Sequence, residues 1–434
     1  MMQLSLFYDY QGILDSSSFH RKYDALFLAF DKVYHSTDFP VFGRKGYPRS
    51  SYLKALIFKD SEKIKTITDL LRSLDSHPVI SMMCGFTPGK LPDASRFYRF
   101  LSSINNSEIE SMLHQSAKLL IEKGHVTTDT VIGDSKPIKA NTRHNNPKNP
   151  NRSLNKKQRI RRNPSASLGY YSYIKQSSDG TKRHFAYFWG YRTHVLVSKE
   201  GIVLVEVTKP NNCTDKDVVK SLMRKLKRVY GQKKNRKFIF DAAYDCNEIY
   251  NFIVDEMKSQ PFIPLNPRYR KPVEDFTQDG VPICEAGLRM KYFGLCKEEK
   301  RSRIKYRCPI VAGNKKELAK LPRTCPVEHQ RFITGRCYGC TAYIDLNGDA
   351  RMNVQRQSKK FLATYAQRTE VERYFSRLGP REVEEMSIYK YLSVRNQMTI
   401  AHLTLNLVAV AAAIVLEQPD RIRCYKTFAD RSAA

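Results

Sequence analysis

The strongest constraint on the fold is acidic residues at three separate places in the chain. A run of β-branched residues ends at Asp134, and a buried-type strand pattern ends at Asp241. A later run without Pro or internal Gly, Tyr365–Leu378, has helical periodicity and carries Glu372. A single glutamate on a helix is usually a solvated surface residue, but carboxylates at two strand ends can converge with it. The pattern therefore predicts an α/β fold organised around three carboxylates.

The register of this helix selects one of its two glutamates. At 100° per residue, Tyr365, Arg368 and Glu372 fall within about 60° of one another. By the same count, Glu370 points about 160° away from Glu372. The apolar seam lies on a neighbouring face and consists of Val371, Phe375 and Leu378. We therefore expect Glu372, with Arg368 one turn before it, to be the functional carboxylate.

Three converging carboxylates favour a bound cation. Without one, they would repel each other and remain partly protonated. Oxygen ligands without paired Cys or His suit Mg²⁺ or Mn²⁺. Two such ions about 4 Å apart are widely used for phosphodiester chemistry. The sequence thus predicts that Asp134, Asp241 and Glu372 are catalytic and bind two Mg²⁺ or Mn²⁺ ions.

The helix pattern matches a known signature. Tyr365, Arg368 and Glu372 fit the spacing Tyr-x2-Arg-x3-Glu. In this respect the chain resembles the DDE transposases of bacterial insertion sequences, in particular the cut-and-paste group with the signature Tyr-x2-Arg-x3-Glu-x6-Lys. The lysine position holds Gly379 here. Arg377 or Arg381 would then supply the missing cation.

The resemblance extends beyond the helix, over roughly residues 40 to 415. Asp134-Ser-Lys-Pro-Ile matches the family context Asp-Ser/Gly-x-Pro-Ile/Leu, and Asp241-Ala-Ala-Tyr-Asp matches Asp-x-Gly/Ala-Tyr-Asp. The segment Phe188–His194 resembles the family strand Gly-Tyr-Lys-x-His. His194 either touches the site or has a structural role within the sheet.

The resemblance implies a ribonuclease H-like core, with a mixed five-stranded sheet and flanking helices in the order β-β-β-α-β-α-β. Strand patterns occur at 127–134, 184–197, 202–208, 237–241 and 261–265, and helical patterns at 215–230, 247–257 and 394–416. The predicted domains are a helical DNA-binding domain (1–120), the first part of the core (121–265), a Cys-containing insertion (266–364), and the catalytic and C-terminal helices (365–434).

The function implied is cleavage of transposon ends followed by strand transfer into target DNA, normally by a dimer of transposases. Arg368 would contact a phosphate of the cleaved strand, and Tyr365 would pack or bond nearby. Two alternatives remain open. One is a nuclease of the same fold without strand transfer, and the other is a non-catalytic DNA-binding protein derived from a transposase.

The charge of the chain also predicts a polyanionic partner. The formal net charge is +31, which favours nucleic acid over a membrane surface, although a merely soluble basic protein is the alternative. Residues 141–163 hold eight Lys or Arg and no acid, and are predicted to be a loop that neutralises DNA phosphates rather than a purely solvated one. The eight are Arg143, Lys148, Arg152, Lys156, Lys157, Arg159, Arg161 and Arg162.

A second candidate for DNA contact lies near the N-terminus. The basic, aromatic helix around Arg96–Phe100 either enters a DNA groove or packs within its own domain. The N-terminal residues show no secretory signal. The longest apolar run, Leu407–Leu416, is shorter than the roughly 20 residues needed to cross a bilayer. We expect no membrane association and a cytoplasmic location on the bacterial nucleoid.

The insertion is unusually rich in cysteine. The chain has ten Cys, which in an intracellular protein suggests thiols or a metal site rather than disulfides. Cys337 and Cys340 form one CxxC pair, and Cys308 and Cys325 would complete four ligands for a structural zinc ion. No second CxxC is present, and reduced, unliganded cysteines are the alternative.

Overall fold

The computed structural model describes residues 10–35, 46–177, 180–266, 275–277, 280–298, 301–313, 325, 327, 339–346, 350–354, 356, 358–378, 386–424 and 429. The chain divides into two compact units. The first unit comprises Met1–Ile239, Met257–Gln260 and Ala366–Ala434. The second comprises Phe240–Glu256 and Pro261–Tyr365. The predicted division into four domains stays a prediction.

The N-terminal region is helical, as its sequence predicts. Its helices are α1 (Tyr10–Ser16), α2 (Ser18–Asp31), α3 (Arg49–Ser61), α4 (Ile67–Ser76), α5 (Pro78–Met83), α6 (Ala94–Ser103) and α7 (Asn106–Glu122). Side chains of Ser17, Thr66 and Asn105 cap α2, α4 and α7 by accepting hydrogen bonds from backbone N–H groups in the first turn. Polar caps therefore fix where these helices begin.

A mixed six-stranded sheet follows. Its strands are β1 (Thr130–Lys139), β2 (Ser167–Ser177), β3 (Gly180–Ser198), β4 (Val203–Pro210), β5 (Lys237–Ile239) and β6 (Gln260–Phe262). The order across the sheet is β2-β3-β1-β5-β6, and β4 also pairs with β3. Strand β3 is antiparallel to β1, β2 and β4, whereas β5 is parallel to β1. The sheet is therefore mixed, as predicted.

The prediction of five strands is wrong by one. Strand β2 forms a hairpin with the first half of β3, with Ser167 opposite Gly190 and Ser177 opposite Gly180. Segment 167–177 consists mainly of tyrosine, small and polar residues and has few aliphatic ones. It therefore lacks the buried apolar run by which the other strands were found.

Two helices connect successive strands of the sheet, α8 (Asp215–Tyr230) between β4 and β5 and α9 (Asn247–Asn251) between β5 and β6. Helix α8 has the predicted bounds, and its capping Thr214 accepts a hydrogen bond from the N–H of Asp217. Helix α9 continues as a π-helix over Phe252–Glu256.

The second unit holds a separate antiparallel sheet in the order β7-β8-β9. Its elements are β7 (Lys291–Glu298), β8 (Arg301–Arg307), α10 (Pro309–Ala312), β9 (Thr341–Asp345) and α11 (Lys359–Tyr365).

The predicted single helix over residues 365–378 is interrupted. Helix α11 ends at Tyr365, a 3-10 turn spans Ala366–Arg368, and α12 runs from Thr369 to Leu378. Thr369 Oγ1 donates a hydrogen bond to the carbonyl of Ala366 at 3.2 Å. Threonine hydroxyls that bond nearby backbone groups compete with the helical ladder, which accounts for the break.

The C-terminal helix α13 (Tyr391–Val410) continues as a π-helix over Ala411–Val415. Its bounds agree with the helix predicted over 394–416 to within three residues at either end. Among the described residues, it is the one helix long and apolar enough to cross a membrane, but 89% of its most apolar window is buried inside the protein. It contacts α2, α3, α6, α7, α12 and β4. It is the central core helix of the first unit.

Polar side chains join α13 to its neighbours. Asn396 donates to the carbonyls of Leu101 and Ile104, each at 2.9 Å. Asn406 Nδ2 donates to the carbonyl of Val203 at 2.9 Å, and its Oδ1 accepts from the N–H of the same residue at 3.1 Å. Asn406 therefore satisfies the backbone of β4 as a neighbouring strand would.

We expect Asn406→Leu to destabilise the protein. The substitution leaves two buried backbone groups of Val203 without the partners that Asn406 supplies, at a cost of about 1–3 kcal/mol each. Chemical denaturation should show a lower midpoint. Asn151→Leu, at an exposed position, should change the unfolding free energy by less than about 0.5 kcal/mol. Equal effects of the two substitutions would contradict this role.

Candidate active site

Helix α12 is fixed on the core through its buried face. Val371 and Tyr374 are fully buried. The Tyr374 hydroxyl bonds His402 Nδ1, and His402 Nε2 lies 2.9 Å from Thr193 Oγ1 on β3. Complete burial lowers the pKa of His402 to about 3, so this histidine is neutral. A neutral hydrogen-bonded chain therefore connects α12 through α13 to the sheet.

Asp134 lies on β1, opposite Val195 of β3. Its Oδ1 accepts a hydrogen bond from the N–H of Ser135 at 2.7 Å. Lys136, two residues further along β1, donates through Nζ to the carbonyl of Phe375 on α12 at 3.3 Å. Strand β1 and helix α12 are thus connected directly beside the aspartate.

A single guanidinium bridges two of the predicted carboxylates. Arg368 Nη1 lies 2.5 Å from Glu372 Oε1, and Arg368 Nη2 lies 3.4 Å from Asp134 Oδ2. Asp134 and Arg368 are 234 residues apart in the sequence. The Glu372 side chain is 55% exposed, whereas that of Asp134 is 19% exposed. The result is a site with a partly buried carboxylate, an accessible one and a cation shared between them.

Glu370 occupies the opposite side of α12, as the helical register predicts. Its side chain is largely buried and forms ion pairs with Arg373 and with Arg423, the latter at 3.4 Å. Glu370 therefore has a structural role at the contact between α12 and the C-terminal segment.

Arg377 also faces away from the carboxylate pair. Its Nη2 donates to the carbonyl of Gly201 at 2.7 Å, and burial lowers the pKa of its guanidinium. Gly201 has φ of +78°, and a Cβ there would lie 2.6 Å from Arg377 Nη2. Arg377 thus holds the turn between β3 and β4, and the suggestion that it replaces the signature lysine stays a prediction. Gly379 and Arg381 lie outside the described residues.

The two remaining members of the predicted site belong to the second unit. Asp241 precedes a 3-10 turn, Ala242–Tyr244, and its Oδ1 accepts from the N–H of Ala243 at 2.9 Å. The Tyr365 ring stacks on Phe361 with centroids 5.8 Å apart. Within the part of the chain that the structure describes, no three His, Cys, Asp or Glu side chains are grouped to hold a metal ion.

His194 is buried within the sheet. It is buried at 2% exposure, and its Nδ1 lies 3.8 Å from Asp215 Oδ1. Burial, and secondarily the charges of Arg192 and Lys209, lower the pKa of His194 to about 3. A neutral histidine at this position supports the sheet.

The basic run 141–163 is a surface loop with a 3-10 turn at Arg143–Asn145. Most of its cationic side chains are exposed, namely Arg143, Lys148, Lys156, Lys157, Arg159, Arg161 and Arg162. Arg152 is partly buried and donates to the carbonyl of Tyr187. The other basic candidate, α6, packs Phe97 and Leu101 inward and exposes Arg96 and Arg99.

Cysteines approach one another in the second unit. The Cys308 N–H donates to the carbonyl of Cys340 at 2.7 Å. Burial, and secondarily the nearby thiols of Cys308, Cys284 and Cys325, raise the pKa of Cys340 to about 11. Cys337 lies outside the described residues. Cys284 was not predicted as a member of this group, because it is followed by Glu rather than by Pro as Cys308 and Cys325 are.

The sequence also left the partners of Asp134 unidentified. Arg192 Nη1 donates to Ser135 Oγ at 3.1 Å, on the sheet face opposite to that of Asp134. The sequence places Lys136 on the same face of the strand as Asp134, because it follows Asp134 by two residues. Its contact with α12 depends on how the helix docks and had no signal in the sequence.

A family described as transposase DDE domain matches residues 125–407, a range that contains Asp134, Asp241 and Glu372. The chain belongs to the DDE transposase family. A second match, described as a transposase domain (DUF772), covers residues 9–103. The chain is thus a DNA transposase, and nuclease and transesterase chemistry is what this family performs.

Solved structures of other transposases show distant similarity. The piggyBac transposase synaptic complex with hairpin DNA is 9% identical, with a TM-score of 0.36, 95% of this chain covered and 78% of that one. The Mos1 transposase paired-end complex with the left transposon end is 13% identical, with a TM-score of 0.17, 54% of this chain covered and 64% of that one. A comparison with curated proteins gave no match.

Proposed function

We propose that this transposase cleaves DNA at transposon ends and transfers the ends into target DNA, using Asp134, Asp241 and Glu372. The observation that carries the proposal is the Arg368 guanidinium shared by Asp134 and Glu372. Two carboxylates that pair with the same guanidinium can also bind one metal cation between them. Helix α12 thus presents to the sheet the glutamate that the family signature selects.

We further propose that the core is ribonuclease H-like. Apart from β2, the elements β1, β3, β4, α8, β5, α9 and β6 follow the order β-β-β-α-β-α-β. Strand β1, which carries Asp134, has β3 antiparallel on one side and β5 parallel on the other. Both features support this fold.

The register of β1 and β5 supports Asp241 as the third carboxylate. Ile132 pairs with Ile239 in this parallel pair. Asp134 follows Ile132 by two residues, and Asp241 follows Ile239 by two residues. The two aspartates therefore follow equivalent positions of neighbouring parallel strands.

DDE transposases generally use divalent metals, and the three carboxylates are ligands of the kind that Mg²⁺ and Mn²⁺ prefer. Asp134, Asp241 and Glu372 would hold two such ions. When bound, the ions supply positive charge for the attacking and leaving oxygens of the phosphodiester. The exposed Glu372 carboxylate leaves the site open to substrate from its side of α12.

We propose two kinds of partner for Arg368, the carboxylates of the site and a DNA phosphate. Its guanidinium neutralises Asp134 and Glu372 when no other cation is present. With Asp134 and Glu372 holding metal, Arg368 would bind a phosphate of the cleaved strand, for which its planar fork is suited. The predicted role of Tyr365 beside this phosphate stays part of the proposal.

The basic loop positions the DNA. Its exposed Lys and Arg side chains neutralise phosphates without reading sequence. We also propose that the transposase acts as a homodimer on DNA and works in the cytoplasm on the bacterial nucleoid. The net charge of +31 favours association with a long polyanion.

We expect Glu372→Gln to abolish Mg²⁺-dependent nicking of a transposon-end duplex while DNA binding persists, because the change removes one ligand charge and keeps the size of the side chain. The matched control is Glu370→Gln, on the opposite face of α12. This variant should cut near normally and lose some thermal stability through weaker pairing with Arg373 and Arg423. Activity in Glu372→Gln together with none in folded Glu370→Gln would refute the assignment.

A strand-transfer assay with pre-cleaved ends separates a transposase from a nuclease of the same fold.

DNA binding should weaken steeply with salt. Each phosphate contact contributes about −0.9 to the slope of log K against log salt concentration. Replacing Lys156, Lys157 and Arg159 with Gln should therefore reduce the slope by roughly two to three. The charge-matched control replaces the exposed Lys123, Lys227 and Lys234. If both triple variants change the slope equally, the loop has no special part in DNA binding.

We propose that the second unit binds one structural zinc ion through Cys308, Cys325 and Cys340. The fourth ligand is Cys337, as the CxxC spacing predicts, or Cys284. Purified protein should then contain about one zinc per chain by elemental analysis. Cys308→Ser should lower the zinc content, whereas Cys296→Ser should not. Cys284→Ser and Cys337→Ser identify the fourth ligand, and folded, active protein without zinc would refute the site.

A further inference from the structure

The β2–β3 hairpin exposes aromatic rings on one face. Tyr170 of β2 lies opposite Tyr187 of β3, and Phe185 lies two residues before Tyr187 on the same face. These three residues, the aromatic strip, are 51%, 44% and 50% exposed for Tyr170, Tyr187 and Phe185 respectively. The Tyr170 ring lies 5.8 Å from that of Phe185 and 6.0 Å from that of Tyr187. The rings therefore form a contiguous apolar surface.

The basic loop covers the inner end of this strip. Trp189 follows Tyr187 on the same face and is buried. Its Nε1 donates to the carbonyl of Ser153 in the loop at 2.8 Å. Arg152 of the loop donates to the carbonyl of Tyr187 at 2.6 Å. The aromatic strip and the basic loop are therefore neighbours on this face of the hairpin.

The strip shares a sheet face with Asp134. Asp134 lies opposite Val195, which is six residues after Trp189 and hence on the same face of β3. Eight residues separate Val195 from Tyr187, or about 27 Å along a strand.

Exposed rings next to a basic loop indicate which ligand the aromatic strip binds. Contiguous exposed apolar patches mark interaction sites. Rings beside a cationic surface are how proteins hold unpaired nucleotides, because every base has a face that stacks on an aromatic ring. A second copy of this chain would bring another net charge of +31 to the same surface, which disfavours self-association there.

We propose that the aromatic strip stacks on unpaired bases of the DNA whose backbone lies at Asp134. The inference rests on the proposed function, and it adds a contact that recognises strand opening rather than phosphate charge. The basic loop binds duplex and opened DNA alike, whereas the strip favours DNA in which bases have left the stack.

The test compares a 30-base-pair duplex with the same duplex carrying a three-nucleotide mismatched bubble, both with 2-aminopurine at the central position. Wild-type protein should bind the bubble more tightly and quench its fluorescence by stacking. The variant Tyr170→Ala/Phe185→Ala/Tyr187→Ala should lose about tenfold or more in affinity for the bubble and little for the duplex. Tyr170→Trp/Tyr187→Trp, which keeps large rings, should retain the preference.

The matched control is Tyr292→Ala, which removes a 60% exposed ring of the second unit and should leave the preference intact. Equal duplex affinity and melting temperature in wild type and triple variant show that folding is preserved. An equal bubble preference in wild type and triple variant would overturn the inference, as would a wild-type dimer without DNA that the triple variant fails to form. Wild-type protein that binds neither DNA would instead refute the proposed function.

Discussion

The burial of α13 is the interaction on which the rest of the first unit depends. This helix contacts the N-terminal helices on one side and the sheet on the other, so its apolar surface forms the common core. Its polar residues fix the register of that packing, because Asn396 binds the end of α6 and Asn406 binds the edge of β4. His402 then connects the core to α12 through Tyr374. The position of Glu372 is thus set by contacts on the far side of its helix.

Charge in this protein is divided between interior and surface. In the interior, Glu206 is fully buried, burial raises its pKa to about 7, and its Oε1 accepts a hydrogen bond from Thr399 at 2.6 Å. On the surface, cationic residues of the loop 141–163 remain exposed. The excess positive charge therefore serves a partner rather than the fold, in keeping with a transposase.

Local pattern predicted the regular parts of the fold well. Helix α8 has the bounds read from its periodicity and its cap, and the strands next to Asp134 and Asp241 lie where β-branched and aromatic runs occur. The opposite orientations of Glu370 and Glu372 also followed from helical geometry. Three features could not be predicted. The break at Thr369 depends on one side-chain hydrogen bond, β2 has no buried run of its own, and the contact between Arg368 and Asp134 joins residues 234 positions apart.

That separation has a consequence for the synthesis of the protein. The ribosome makes Asp134 long before Glu372, and the second unit is synthesised almost entirely between them. The core of the N-terminal helices also lacks its main partner until α13 has been made. Contacts this distant in sequence form late in folding. A nascent or truncated chain therefore carries the exposed basic loop without the contacts that join Asp134, Arg368 and Glu372, which form only when the chain is nearly complete.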